Sequence, residues 1–380
     1  MRFSIRHLFF ILLSFIFPCA VLAQTVSAPV LAAKSWILVD HATGQVLAGK
    51  DPDARIEPAS LTKLMTAYLT FSALKAGTIT EDQMVLVSKK AWRQEGSRMF
   101  IQVDTTVAVG DLIRGVIVQS GNDACVALAE LLAGSEEAFA VLMNREAERL
   151  GMKNTHFANA NGLPHPDLYT TARDLSILAS AIIRDFPEYY GLYSLKSFTY
   201  NRITQPNRNR LLYIDPSVDG MKTGHTDAAG YCLVASALRG PRRLVSVVLG
   251  ATSENVRAQE SLKLLNYGFQ FFDTVRVYEA GQVLSQFRVW KGAANQVDVG
   301  FIQDFLISLP REKANKVGAV LESRQPVLAP LARGQEIGTL KLGIDGEPYG
   351  EYPVYALSDV PLAGFFGRLW DAIVMWFKSL

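Results

Sequence analysis

The order of patterned segments predicts an α+β fold followed by a small all-β domain and a C-terminal amphipathic helix. Three observations carry this. Strand-like apolar runs stand at both ends of the first 273 residues (35–40 and 45–48, then 233–238 and 244–251), with helical patterning between them. Strands distant in sequence can therefore share one sheet. Beyond residue 273 short strand-like runs recur with turns between them and no helix of length, as in a separate β module. From Leu362 onward the apolar residues return to helical spacing.

Taken in order, the chain begins with an address. Arg2 and Arg6 precede an apolar run from Leu8 to Phe17, and Val21-Leu22-Ala23 supplies small residues at −3 and −1. Residues 1–23 thus read as a signal peptide cleaved after Ala23, taking Cys19 with it. Two strands then meet across His41-Ala42-Thr43-Gly44. Pro58 opens a helix, with Leu61, Leu64, Met65, Tyr68 and Leu69 at helical spacing. Thr80-Glu81-Asp82 starts a short element, and residues 109–118 read as a helix that Asp111 can cap. Further helices begin at Asn122, after Ser135 (ending near Gly151) and at Thr171, and a helix over 255–272 closes this part. The divisions follow: a first domain at 24–273, the β module at 274–359 and a terminal segment at 360–380.

In that segment Leu362, Phe365, Phe366, Leu369, Ile373, Trp376, Phe377 and Leu380 share one helical face, with Arg368, Asp371, Lys378 and Ser379 off it. A 20-residue tail with a charged stripe and two tryptophans suits an interfacial helix on a membrane better than a span. The β module carries no catalytic constellation and reads as a spacer.

Composition narrows the function. With 49 % hydrophobic and 19 % charged residues the chain is globular, and a net charge of +2 gives no argument for nucleic acid. No glycine-rich phosphate loop and no Cys/His pair at metal spacing occurs, so neither cofactor nor metal is expected. Cys125 and Cys232 read as buried free thiols, because a chain this large needs no disulfide.

Three short motifs carry chemistry. Ser60 and Lys63 lie three apart, nearly one helical turn, which brings a hydroxyl to an amine. A desolvated lysine can deprotonate a serine nucleophile, and the helix N-terminus favours the developing alkoxide. Alone the pattern means little, since roughly one Ser-x-x-Lys is expected by chance in such a chain, and Ser72-Ala73-Leu74-Lys75 matches it too. Ser120-Gly121-Asn122 offers a hydroxyl and an amide before a helix, although Ser253-Glu254-Asn255 matches equally. Lys222-Thr223-Gly224 is more specific. It opens a strand-like run, where the lysine could meet an anion and Gly224 would leave room for substrate backbone.

The order Ser-x-x-Lys, Ser-x-Asn, Lys-Thr-Gly is the signature set of serine β-lactamases and penicillin-binding proteins. The whole chain resembles the D-alanyl-D-alanine carboxypeptidases among the low-molecular-mass penicillin-binding proteins. Ser120-Gly121-Asn122-Asp123-Ala124-Cys125, Lys222-Thr223-Gly224-His225-Thr226 and Thr171-Ala172-Arg173-Asp174 all look like that family. So do the β-rich second domain and the amphipathic tail. Ser60 follows Glu57-Pro58-Ala59 as the family's nucleophile does, which makes Ser72 and Lys75 structural.

The resemblance implies a serine β-lactamase/penicillin-binding-protein-like transpeptidase domain acting on peptidoglycan stem pentapeptides and acylated by β-lactam antibiotics. It implies Ser60 as nucleophile, Lys63 as its base and Ser120 as the proton relay. Asn122 would hold the substrate amide, and Lys222 and Thr223 the terminal carboxylate. Backbone N–H groups of Ser60 and His225 would form the oxyanion hole, with Arg257 supporting the carboxylate site. The implied location is the periplasmic side of the bacterial inner membrane. Two alternatives stand beside it, a β-lactamase and an inactive peptidoglycan-binding protein. Rapid lactam hydrolysis of the class A kind uses a glutamate four residues before an asparagine. None of Glu130, Glu136, Glu137, Glu146, Glu148 and Glu188 has one there. Intact Ser60, Lys63, Ser120 and Lys222 argue against the inactive protein.

Overall fold

The computed structural model describes residues 27–314 and 316–378; the expected signal peptide lies outside them. Strands from both ends of the first domain do share one sheet. β1 (Ser35–Asp40) and β2 (Val46–Lys50) form the N-terminal hairpin. β3 (Val218–Thr226), β4 (Gly230–Arg239) and β5 (Arg242–Ala251) follow the helices, and the order across the sheet is β2-β1-β5-β4-β3. β1 pairs antiparallel with β5, Trp36 opposite Val248 and Leu38 opposite Ser246.

Alternation along the strands sends side chains to two cores. Ile37, Val39, Val245 and Val247 pack on the helical side with α1 (Lys63–Lys75), α3 (Asn122–Ala133) and α5 (Ala172–Asp185). Trp36, Leu38, Leu244 and Val248 face α6 (Glu254–Phe271) on the other side. Both faces are covered, which is why β1 is buried at every position and apolar throughout its middle, from Trp36 to Val39.

Helix starts follow the capping residues. Ser135 Oγ accepts from Ala138 N at the head of α4 (Glu136–Leu150), Thr171 Oγ1 from Asp174 N on α5, and Ser253 Oγ from Val256 N on α6. Asp111 does not cap. α2 (Val109–Arg114) begins after Ala108, and Asp111 sits inside its first turn beside Arg114. The helix expected over 109–118 is also interrupted, passing at Gly115–Gln119 into a wider turn that ends on left-handed Ser120.

After α6 the chain enters the β module through strand Phe272–Tyr278, which pairs with Phe305–Pro310. A six-stranded sheet and its own apolar core, including Val299, Ile307, Leu340 and Val354, make up the rest. The β1–β2 turn docks on it: Thr43 Oγ1 meets Ser308 Oγ at 3.0 Å, and Gln45 Nε2 donates to Tyr349 Oη at 2.6 Å. The terminal helix α7 (Phe365–Lys378) is tethered by Asp371, which accepts from Lys291 N, and by Ala363 N donating to Lys291 O. No described helix is long and apolar enough to cross a membrane.

Candidate active site

Ser60 is not in an α-helix. It lies in a 3-10 turn, Ala59–Thr62, that feeds into α1 at Lys63. Pro58 precedes the turn and its carbonyl accepts from Leu61 N, while Ala59 adopts a left-handed φ of 49°. The three-residue spacing still works: Lys63 Nζ stands 3.0 Å from Ser60 Oγ.

Lys63 is fully enclosed, and its amine meets two further groups, Asn122 Oδ1 at 2.7 Å and the carbonyl of Asn161. Both can only accept. A neutral amine that donates its two N–H groups to them must direct its lone pair at the Ser60 hydroxyl. Burial, assisted by the Arg208 guanidinium, pulls Lys63 from the ordinary lysine value of 10.5 down to about 8. The base is thus both aimed and partly deprotonated near neutral pH.

Each partner is itself held. Asn122 opens α3, and its Nδ2 donates to Glu95 O at 2.6 Å. Its amide thus orients Lys63 through Oδ1, while one Nδ2 hydrogen is held by the Glu95 carbonyl. Asn161 Nδ2 donates to Gln94 Oε1, and Thr66 Oγ1 on α1 donates to Ala160 O. Asp123 accepts from the backbone N–H groups of Met99, Phe100 and Ile101, fixing the loop between residues 95 and 101 against α3.

Ser120 is 2 % exposed in a left-handed conformation (φ 62°), and its Oγ has no hydrogen-bond partner within the protein. A buried hydroxyl left unsatisfied on strained backbone marks a group held for a ligand or a transferring proton. It lines a cavity of about 280 Å³ together with Ser60, Ser97, Thr223, Arg208 and Arg257.

Lys222, Thr223, Gly224 and His225 lie on β3, the edge strand of the sheet, so one side of their backbone is available to a peptide. Lys222 is buried, and its pKa is pushed well below the lysine norm by burial first, then by the charges of Lys63 and Arg208. The cavity's permanent cations are therefore the guanidiniums of Arg208 and Arg257. Arg257 is buried, not on the surface, with Nη1 3.4 Å from Gly224 O and Nη2 3.3 Å from Glu254 Oε1. The His225 ring packs on Tyr231 with centroids 4.0 Å apart. Gly224 clears the nucleophile's own turn: a Cβ there would come 3.0 Å from Pro58 O and 3.3 Å from the Ala59 Cβ.

Both decoys are structural. Ser72 is exposed on α1, Lys75 bonds the Asp185 carbonyl, and Ser253 caps α6. Cys125 and Cys232 are buried free thiols, their pKa values pushed up by burial to about 12 and about 11. Sequence reasoning missed Asn161, Arg208, Ser97 and Tyr231. Asn161 acts through its carbonyl, and the others stand on loops or strands outside the three motifs.

Residues 22–253 match the family model described as D-alanyl-D-alanine carboxypeptidase. The chain belongs to that family. Residues 272–362 match the model for the penicillin-binding protein 5 C-terminal domain. The chain is 45 % identical over 368 residues to D-alanyl-D-alanine carboxypeptidase DacC of Escherichia coli (strain K12), covering 94 % of this chain and 92 % of that protein. Penicillin-binding protein 5 from Haemophilus influenzae has the same architecture, with a TM-score of 0.85 and 44 % identity, over 88 % of this chain and 99 % of that one. Penicillin-binding protein D2 from Listeria monocytogenes, solved in an ampicillin-bound form, is similar at a TM-score of 0.60 and 31 % identity, over 64 % of this chain and 100 % of that one. The fold and activity class read from the motifs are borne out: this is a penicillin-binding-protein-like serine carboxypeptidase domain joined to an all-β domain.

Proposed function

We propose that Ser60 attacks the carbonyl of the terminal D-Ala-D-Ala bond of a peptidoglycan stem pentapeptide, and that water then hydrolyses the acyl-enzyme. The observation that carries this is the Lys63 amine, 3.0 Å from Ser60 Oγ and oriented by Asn122 and Asn161. Lys63 takes the serine proton as the C–O bond forms. Ser120, whose hydroxyl is uncommitted, passes a proton to the departing D-alanine nitrogen as the C–N bond breaks. Thr223, Lys222, Arg208 and Arg257 bind the terminal carboxylate, and a bound anion favours protonated Lys222 despite its burial. The oxyanion lies at the backbone N–H groups of Ser60 and His225.

β-Lactams present a strained ring amide where the D-Ala-D-Ala bond would lie, so a labelled penicillin attaches to the wild type and not to Ser60→Ala. D-Alanine release from a pentapeptide is lost in the same variant. Labelling of Ser60→Ala at the wild-type level would overturn the assignment.

The N-terminal residues supply the export signal, and α7 rests on the inner membrane from the periplasmic side. Support for the second statement is the exposure of Phe365, Phe366, Leu369, Trp370, Trp376 and Phe377, which the protein's own core leaves uncovered.

A further inference from the structure

A second, larger cleft of about 600 Å³ draws on two of the chain segments that also line the catalytic cavity. Glu57 lines the cleft and Ser60 the cavity, three residues apart on one segment. Ala228 lines the cleft and His225 the cavity, three apart on the other. The segments are pinned together where Thr226 Oγ1 donates to Glu57 Oε2 at 2.6 Å. The far side is closed by His165, Pro166 and Leu168. Backbone pairing of Ile56 with Thr170 fixes the distance between these sides.

The charges of the cleft are unbalanced. Its one lining acid, Glu57, accepts from Thr226 and balances at most one of the two lining cations, Lys34 and Arg55, while His165 lies 3.9 Å from Asp167. Lys34 and Arg55 are exposed, and among the described residues neither forms an ion pair. Lys34 Nζ lies 3.3 Å from Ala228 O, while Arg55 stacks over the Tyr169 ring at 4.3 Å and reaches Asn154 Oδ1. These contacts hold both cations at the rim without neutralising them.

We propose that this cleft is a second substrate subsite, taking the carboxylate-bearing residues that precede the scissile bond in the stem peptide and reading them through Lys34 and Arg55. The inference rests on the carboxypeptidase reading for the direction of the chain. A peptide whose C-terminal carboxylate sits at Lys222–Thr223 and which pairs with the free edge of β3 runs past His225 and Thr226 toward Ala228. At about 3.3 Å per residue, the third and second residues of a pentapeptide lie about 7 and 10 Å from its terminal residue. The strand from Thr223 to Thr226 spans about 10 Å. Those two residues therefore reach the strand's end, where the cleft begins. A carboxylate on either of those residues would stand opposite the two cations.

The test compares two substrates on the full-length protein and a Lys34→Gln/Arg55→Gln double variant. One is the complete anionic pentapeptide; the other is a short neutral acyl-D-Ala-D-Ala. The ratio of kcat/KM for the long over the short substrate falls roughly five- to tenfold in the variant, as expected for two exposed charges, and the loss shrinks in high salt. An unchanged ratio overturns the proposal. Binding of the stem tripeptide, which lacks both D-alanines, gives a readout that needs no catalysis. If its affinity falls in the variant while neither substrate releases D-alanine from the wild type, the subsite stands and the carboxypeptidase reading fails. If tripeptide affinity is the same in both proteins, the subsite is wrong whatever the enzyme does.

Discussion

Gly162 and Ala59 meet backbone to backbone, so closely that a Cβ on Gly162 would lie 1.8 Å from the Ala59 carbonyl oxygen. Both residues have positive φ, 83° at Gly162 and 49° at Ala59. The loop that gives Lys63 its Asn161 carbonyl is thus pressed directly on the turn that carries Ser60.

Gly162→Ala must push the two apart. The strained conformation and the collision each cost about 1 kcal/mol or more. The larger effect falls on geometry, since a displacement near 1 Å at the reacting atoms costs on the order of a hundredfold in rate. Acylation by penicillin in Gly162→Ala should therefore drop by about that factor, with a lowered melting temperature. Wild-type acylation kinetics would show that the contact is not holding the nucleophile.

The pH dependence follows from Lys63. Only the neutral amine accepts the serine proton, and its pKa lies near 8 instead of 10.5. Below pH 8 the neutral fraction grows about tenfold per unit, so the second-order acylation rate climbs with pH and levels off above that value. Arg208 contributes to the depression, and Arg208→Gln should move the rising limb to higher pH. A limb that stays in place or moves to lower pH would contradict this. Between about 8 and 10.5 the folded chain holds fewer protons on this group than the unfolded chain, so its contribution to stability rises with pH through that window.

Much of this was legible in the sequence because side chains declare themselves. Ser135 and Thr171 cap because short polar side chains before apolar-periodic runs have few better uses. The strands at 35–40 and 244–251 were readable because both faces of the sheet are covered. The site was legible as far as it is made of Ser60, Lys63, Ser120 and Lys222. Asn161 was not, since it holds Lys63 by a carbonyl that every residue owns. Nor was the 3-10 start of α1, because its apolar spacing fits either helix over one turn. Asp111 misled for a related reason: an acidic residue in a first turn favours the helix dipole whether or not it caps. The contact of Asn122 with Lys63 was not legible either, because only the fold brings Lys63 to it.

Asp123 anchors the wall opposite β3. Its carboxylate accepts from the N–H groups of Met99 (3.0 Å), Phe100 (2.9 Å) and Ile101 (3.3 Å), and Met99 and Ile101 are buried. Asp123→Ala leaves buried donors unpaired at a cost of about 2–4 kcal/mol. Thermal denaturation should register that loss. Acylation should slow as well, because Ser97 and the Glu95 carbonyl that holds Asn122 belong to the released loop. Stability close to wild type would mean that the loop finds other acceptors.

The described terminal helix, Phe365–Lys378, is too short to span a bilayer. Fourteen residues at 1.5 Å each reach about 21 Å against a hydrocarbon thickness of about 30 Å. Its apolar side chains are nevertheless uncovered, from Ile373 at 42 % to Phe366 at 83 % exposed, which a helix serving only as a structural cap would bury. The proposed interfacial placement would lay Trp370 and Trp376 at headgroup depth. Its orientation is set at the module end, where Lys291 N bonds Asp371 and Lys291 O accepts from Ala363 N. Deleting residues 363–380 should move the mature protein from the membrane fraction to the soluble fraction while D-alanine release from a soluble pentapeptide persists. Leu369→Asp combined with Trp370→Asp should weaken binding to anionic phospholipid vesicles without removing the helix. If both proteins sediment with membranes as the wild type does, the attachment lies elsewhere in the chain.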